Sequence, residues 1–246
     1  MKKILIIGAC SAIAAACARR WVSSESEFVL TGRDADKLQQ QADDLLSRGA
    51  KAVHCHVVDV NELSTHQPLV DFAIEHLRQL DLVLMAYGSL PDQARCETDV
   101  AYALQEFHTN AVSTISLLGL LGARLEQQAH GALAVIASVA ADRGRPSNYL
   151  YGSAKAAVAT YAEGLRARLF KVGVSVTTIK PGFVDTPMTQ GLDLPALLLA
   201  TPDQVARRIV KSVAARRAVV YAPAFWWPIM LIIRCLPQVV FKRLNL

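Results

Sequence analysis

Residues 3–18 read KILIIGACSAIAAACA, and the order of these residues decides the fold. Lys3–Ile7 is apolar on both of its alternating faces, which suits a strand covered from two sides. Gly8 ends the run with a residue that permits a tight turn. Ser11 then precedes an alanine-rich stretch, as an N-cap precedes a helix. Met1–Ala18 also imitates a secretory leader, with two lysines, an apolar run and small residues before Cys10, as in a lipoprotein cleavage box. The strand–turn–helix reading prevails because the rest of the chain needs this segment as its first structural unit.

Further along, apolar β-branched runs alternate with longer helical patterns. Strands are expected at Lys3–Ile7, Glu27–Thr31, Ala52–Val57, Asp81–Ala86, Ala132–Ala137, Ser175–Lys180 and Ala218–Tyr221. Helices are expected between them, among others at Asp34–Arg48, Glu97–Gln128 and Tyr149–Lys171. Such alternation implies an α/β fold with a doubly wound, mainly parallel seven-stranded sheet and helices on both faces. Gly182–Ala200 lacks periodicity and reads as a long loop over a site. No repeat or linker divides the chain, so 1–246 is expected to be a single domain with 225–246 as its tail.

At 52% hydrophobic and 19% charged residues the chain is rich in core material. It still has no run of about eighteen apolar residues to cross a bilayer. Five cysteines without CxxC spacing suit reduced thiols in the cytoplasm. The net charge of +5 is unevenly placed: from Gln204 to Leu246 there are eight Lys or Arg and no Asp or Glu. A tail that is both basic and apolar points to an anionic surface rather than to nucleic acid.

In a doubly wound sheet, ligands bind at the carboxyl ends of the strands. The first such end is Gly8-Ala-Cys10-Ser11-Ala12-Ile13-Ala14, where the start of a helix offers free N–H groups to a diphosphate. Ala12 and Ala14 stand where glycines would allow closer approach. The second strand ends at Thr31-Gly32-Arg33-Asp34. A cation here suits the 2′-phosphate of NADP(H), whereas a carboxylate suits the ribose hydroxyl of NAD(H). Arg33 therefore favours NADP(H), with NAD(H) as the alternative. The bland reading makes Arg33 a solvated residue and Asp34 a helix cap. The third strand ends in Val58-Asp59-Val60, where Asp59 either accepts a hydrogen bond from an adenine amino group or caps the next helix.

The chemical signal is Ser138 at a strand end, thirteen positions before Tyr151, with Lys155 one helical turn beyond Tyr151. Positions i and i+4 share a helix face. An ammonium beside a phenol is expected to lower its pKa from about 10, making Tyr151 a proton donor or acceptor near neutral pH. Tyr149 is a decoy, because its i+4 residue is Ser153.

With these motifs the chain resembles the short-chain dehydrogenase/reductase family over nearly its whole length, which implies a Rossmann-type fold and hydride transfer between a nicotinamide and a carbon–oxygen centre. The resemblance assigns the catalytic roles to Ser138, Tyr151 and Lys155, and a water relay to Lys155 to Asn110 in the segment HTNAV. It places cofactor contacts at Ala86 and Gly88 in Met85-Ala-Tyr-Gly88, which lacks the family's asparagines. It places others at Pro181, Val184 and Thr186 after the sixth strand, and at Tyr151 and Lys155 themselves. It also implies a homo-oligomer built through the two long central helices.

Phe225–Phe241 reads FWWPIMLIIRCLPQVVF, with Lys242 and Arg243 following. Pro228 and Pro237 are expected to break it into short pieces. The tryptophans and cations suit peripheral membrane contact on the inner face of the cytoplasmic membrane, or a greasy substrate mouth. The bland reading is a segment that covers the core. The tail and Gly88–Gln93 are similar to the keto-reductase partner of decaprenylphosphoryl-ribose 2′-epimerases. That implies a lipid-linked 2-keto sugar as substrate and a flavin oxidase as partner. Alternatives are a reductase for another apolar carbonyl, or a non-catalytic NADP-binding regulator. His54 and His56 share a strand face but lack a third ligand, so no metal is expected. His108 reads as helix packing.

Overall fold

The computed structural model describes residues 2–191 and 194–244. Met1, two residues of the 182–200 loop and the last two of the tail lie outside the described residues. Seven strands form one parallel sheet: β1 (Lys2–Ile7), β2 (Ser26–Gly32), β3 (Ala52–Val57), β4 (Leu82–Met85), β5 (Ala132–Ile136), β6 (Ser175–Pro181) and β7 (Val219–Ala222). Their order is β3-β2-β1-β4-β5-β6-β7. β1 lies inside the sheet, between β2 and β4, as its continuous apolar run requires.

The helices are α1 (Ala12–Trp21), α2 (Ala35–Ser47), α3 (His66–Leu77), α4 (Gln93–Thr98), α5 (Val100–Phe107), α6 (Ser113–Gln128), α7 (Tyr149–Phe170), α8 (Pro202–Ala214), α9 (Trp226–Cys235) and α10 (Gln238–Phe241). Alternate residues of β1 serve opposite faces. Ile4 and Ile6 join a core with α1, α2 and α8. Leu5 and Ile7 join the other, with α3, α6 and α7. Among the described residues, no helix is long and apolar enough to cross a membrane.

Two expectations about helices are corrected. The stretch Glu97–Gln128 is not one helix. Asp99 turns extended, at φ −123° and ψ 92°, and caps α5 by accepting from Tyr102 N at 2.9 Å. A π-turn at His108–Val112 then separates α5 from α6. An aspartate competes for backbone N–H groups more effectively at a cap than inside a helix, so it ends α4 and starts α5. Pro228 does not break the tail either. It lies in the first turn of α9, where a backbone N–H would have no intrahelical acceptor anyway. Pro237 follows the end of that helix.

The described residues of the loop at 182–200 include a parallel bridge, Val184 to Ala200, and a 3-10 turn at Ala196–Leu198. His54 and His56 sit in an aromatic cluster with Phe72 and His76 of α3, at centroid separations of 4.1–4.5 Å. No group of three metal-binding side chains occurs among the described residues.

Candidate active site

The sheet order reverses direction between β1 and β4, which opens a crevice at their carboxyl ends. Gly8 lines it from β1 and Tyr87 from β4. Gly8 has φ +80°, and a Cβ there would lie 2.7 Å from Tyr87 Cβ, so both the turn and the close approach demand glycine. The Gly8 and Ala9 N–H groups donate to Thr31 O at 3.0 and 2.9 Å, tying the turn to β2. Ser11 Oγ caps α1 by accepting from Ala14 N.

No protein acceptor among the described residues takes the backbone N–H of Cys10, Ala12 or Ile13. These donors, at the positive end of α1, form a cradle that fits a diphosphate. Ala14 is fully buried in the core, so its methyl belongs to the packing of α1. Ala12 is half-buried at the first helical position.

At the end of β2, Arg33 is exposed and without an ion pair among the described residues. Asp34 accepts from Lys37 N at 3.0 Å and caps α2, so cap and free cation stand side by side. Asp59 closes an Asx turn by accepting from Asn61 N at 3.0 Å rather than capping a helix. The adjacent Val60 is buried, and its carbonyl is held by His66 Nε2 at 2.8 Å. His108 bonds Asn61 O at 3.1 Å, which ties this loop to the π-turn.

Ser138 follows β5 and caps a 3-10 turn, its Oγ accepting from Ala140 N at 3.1 Å. Tyr151 and Lys155 stand one turn apart on α7, with Lys155 Nζ 5.7 Å from the Tyr151 ring centroid. The Ser138 hydroxyl acts on the Tyr151 phenol, favouring its ionised form. Lys155 is 2% exposed, and its only acceptor among the described residues, Ile136 O, lies at 3.4 Å. The decoy Tyr149 is exposed and donates to Glu97 Oε1 at 3.2 Å.

The electrostatics correct the expectation that Lys155 lowers the Tyr151 pKa. Burial dominates and pushes the phenol up to about 12, against a smaller opposing effect of the Ser138 hydroxyl. Burial pushes the Lys155 ammonium down to about 8. In the protein alone Tyr151 is therefore a protonated phenol across the physiological range, which is a proton donor's state.

Gly88 passes between Asn110 and Lys155. A Cβ on it would lie 2.7 Å from Asn110 Oδ1 and 3.1 Å from Lys155 Nζ. Asn110 sits in the π-turn and is fully engaged. Its Oδ1 accepts from Ser89 N at 3.1 Å, and its Nδ2 donates to Ser89 Oγ at 3.0 Å and to Glu106 O at 3.1 Å. Ser89 in turn donates to the Glu106 carboxylate. Ala86 is buried beside this segment.

The opposite wall is Pro181–Thr186. Val184 is buried, and Thr189 Oγ1 holds the loop by donating to Val184 O at 2.6 Å and accepting from Thr186 N at 3.2 Å. A Cβ on Gly182 would fall inside the indole of Trp226. Trp226 and Met230 of α9 thus pack with Val139 and against Phe183. Arg143, five residues after Ser138, donates to Leu236 O at 2.7 Å and to Gln238 Oε1 at 3.0 Å. Its guanidinium lies 3.7 Å from the Phe241 centroid.

The tail is therefore pinned to the loop that carries Ser138. Sequence reasoning missed Tyr87, Ser89, Glu106 and Arg143. Only the repeated proximity of Gly88 to known motif positions hinted at Ser89, and nothing in the sequence marked Arg143.

Residues 2–195 match the short chain dehydrogenase family, and the chain belongs to the short-chain dehydrogenase/reductase family. It is an oxidoreductase of that class, whose members use NAD(P). An uncharacterized oxidoreductase of Mycobacterium tuberculosis is 38% identical over 241 residues, covering 98% of this chain and 96% of its own. An uncharacterized oxidoreductase of Streptomyces coelicolor is 34% identical over 244 residues, covering 99% and 96%. The fold is that of a short-chain dehydrogenase from Sphingobium yanoikuyae in complex with NADPH. The TM-score is 0.82 at 20% identity, covering 99% of this chain and 96% of that one.

Proposed function

We propose that the chain is an NADP(H)-dependent ketoreductase working as one domain over 1–246, with Ser138, Tyr151 and Lys155 as its catalytic residues. The observation that carries this reading is the half-buried Tyr151 with the buried Lys155 ammonium 5.7 Å from its ring, one turn apart on α7 and beside the Ser138 turn at the end of β5. A bound nicotinamide would supply the hydride for the carbonyl carbon. Tyr151 gives its phenol proton to the oxygen that becomes the alcohol, and Ser138 donates a hydrogen bond to the same oxygen. Lys155 stabilises the phenolate left behind and would hold the nicotinamide ribose. A water relay through Asn110 returns the proton.

The turn Gly8–Ile13, with the free N–H groups of Cys10 and Ile13 and the cap Ser11, holds the diphosphate. Arg33 meets the 2′-phosphate, which selects NADP(H) over NAD(H). Asp59 and Val60 flank the adenine. Ala86, Gly88, Pro181, Val184 and Thr186 line the nicotinamide side.

The substrate is an apolar carbonyl compound, narrowed by the tail to a lipid-linked 2-keto sugar that a flavin oxidase supplies. Such a substrate resides in a bilayer, so the enzyme works at the cytoplasmic face of the membrane, as a homo-oligomer joined through its long central helices. Fluorescence titration of NADPH and NADH tests the core of this reading on wild type and Arg33→Ala. Tight NADPH binding that weakens selectively in the variant supports it. Absence of binding by either nucleotide to the wild type overturns it.

A further inference from the structure

The outward face of α9 is apolar where a surface helix is normally polar. Trp227, Leu231 and Ile232 are 57%, 46% and 64% exposed. They form one stripe with Pro228 and Cys235, at helical spacings of one, four and five. The inner face, Trp226 and Met230, is spent on packing against Val139 and Phe183. Beyond the helix, Val239 and Val240 are exposed at 61% and 46%. Lys242 and Arg243 follow, exposed and without an acidic partner among the described residues. From 204 to 246 there is no acidic side chain at all.

We infer that this face is a docking surface for an anionic lipid bilayer. Charge decides between occupants. A second copy placed symmetrically on the stripe would bring two tails together, each with Arg234, Lys242 and Arg243 and neither with a carboxylate to offset them. An anionic bilayer answers both features: apolar side chains enter the interfacial layer while the cations meet headgroup phosphates.

The placement also concerns the site. α9 stands on Gly182, and Arg143 clamps its far end to the Ser138 loop. The bilayer would lie about one helix diameter, roughly 10 Å, from the nicotinamide wall. This part of the inference rests on the proposed reductase reading; the docking itself does not.

The test is co-sedimentation of the full chain with vesicles of pure phosphatidylcholine and of phosphatidylcholine with phosphatidylglycerol. Ile232→Glu and Leu231→Glu are compared with wild type, and oligomeric state is measured by ultracentrifugation. Both positions are exposed, so folding is checked simply by thermal melting. Expected is salt-sensitive binding to the anionic vesicles alone, weakened at least tenfold by either substitution. Binding unaffected by the substitutions, or no vesicle binding by wild type, overturns the inference. So does a change of oligomeric state with vesicle binding intact, which would assign the stripe to a second copy. NADPH titration of the same samples keeps failure of the enzymatic reading separate from failure of docking.

Discussion

The indole of Trp226 occupies the space that any side chain on residue 182 would need. A residue of the tail thus replaces a missing side chain in the loop beyond β6. Gly182→Ala is expected to destabilise by about 1–3 kcal/mol through overpacking. Trp226→Ala is expected to cost about 3–5 kcal/mol. Because the first substitution harms the protein only through the ring that the second removes, the pair should cost clearly less than the sum. Urea denaturation of the two singles and the double variant checks this; strict additivity would sink it.

Tyr151 and Tyr149 separate the chemistry from its decoy. Tyr151→Phe is expected to lower turnover by about 10²–10⁴-fold while leaving NADPH affinity within a few-fold. Tyr149→Phe removes an exposed hydrogen bond to Glu97 and should leave turnover nearly unchanged. Steady-state kinetics with an apolar ketone decide the matter.

Gly88→Ala places a methyl against Asn110 Oδ1 and Lys155 Nζ. Turnover is expected to fall at least tenfold, with a stability loss no larger than about 3 kcal/mol. Equal turnover in the variant would mean that the Asn110–Lys155 neighbourhood does not matter to the reaction.

Burial lowers Lys155 from 10.5 to about 8. Between these values the unfolded chain holds a proton that the folded chain has lost, so stability rises with pH across that window. Below pH 8 the buried charge costs roughly 3 kcal/mol. Lys155→Met is therefore expected to be more stable than wild type at pH 7, with the margin shrinking toward pH 10.5. Chemical denaturation at pH 7 and pH 10 measures the sign directly.

The two alanines of the phosphate turn differ in environment. Ala12→Gly is expected to tighten cofactor binding by allowing closer approach. Ala14 is fully buried, and Ala14→Gly should instead cost about 1 kcal/mol of stability. Nucleotide titration and thermal melting of the two variants distinguish these effects.

Much of this fold was legible in the residues. All seven strands lie within a residue or two of their expected bounds, because buried parallel strands are short apolar runs between turn residues. The closeness of Tyr151 and Lys155 was legible because positions i and i+4 share one helix face. The break at Asp99 and the π-turn at Asn110 were not, because an uninterrupted helical pattern over 97–128 conceals a local competition between caps and helix. The direction of the Tyr151 shift was also hidden. Spacing places an ammonium near a phenol, but it does not say how little water reaches either.

The sequence by itself determined the strand–helix alternation, the turn at Gly8, the Ser138–Tyr151–Lys155 spacing and the apolar, basic character of the tail. All are local patterns of residue type, set by hydrogen bonding and burial along one element. Only the tertiary structure decided that Tyr87 packs against Gly8, that Ser89 and Glu106 engage Asn110, and that Arg143 fastens the tail to the Ser138 loop. It also decided which face of α9 is buried. These depend on contacts between residues up to about ninety positions apart, which follow from packing whole elements together and leave no mark on sequence periodicity.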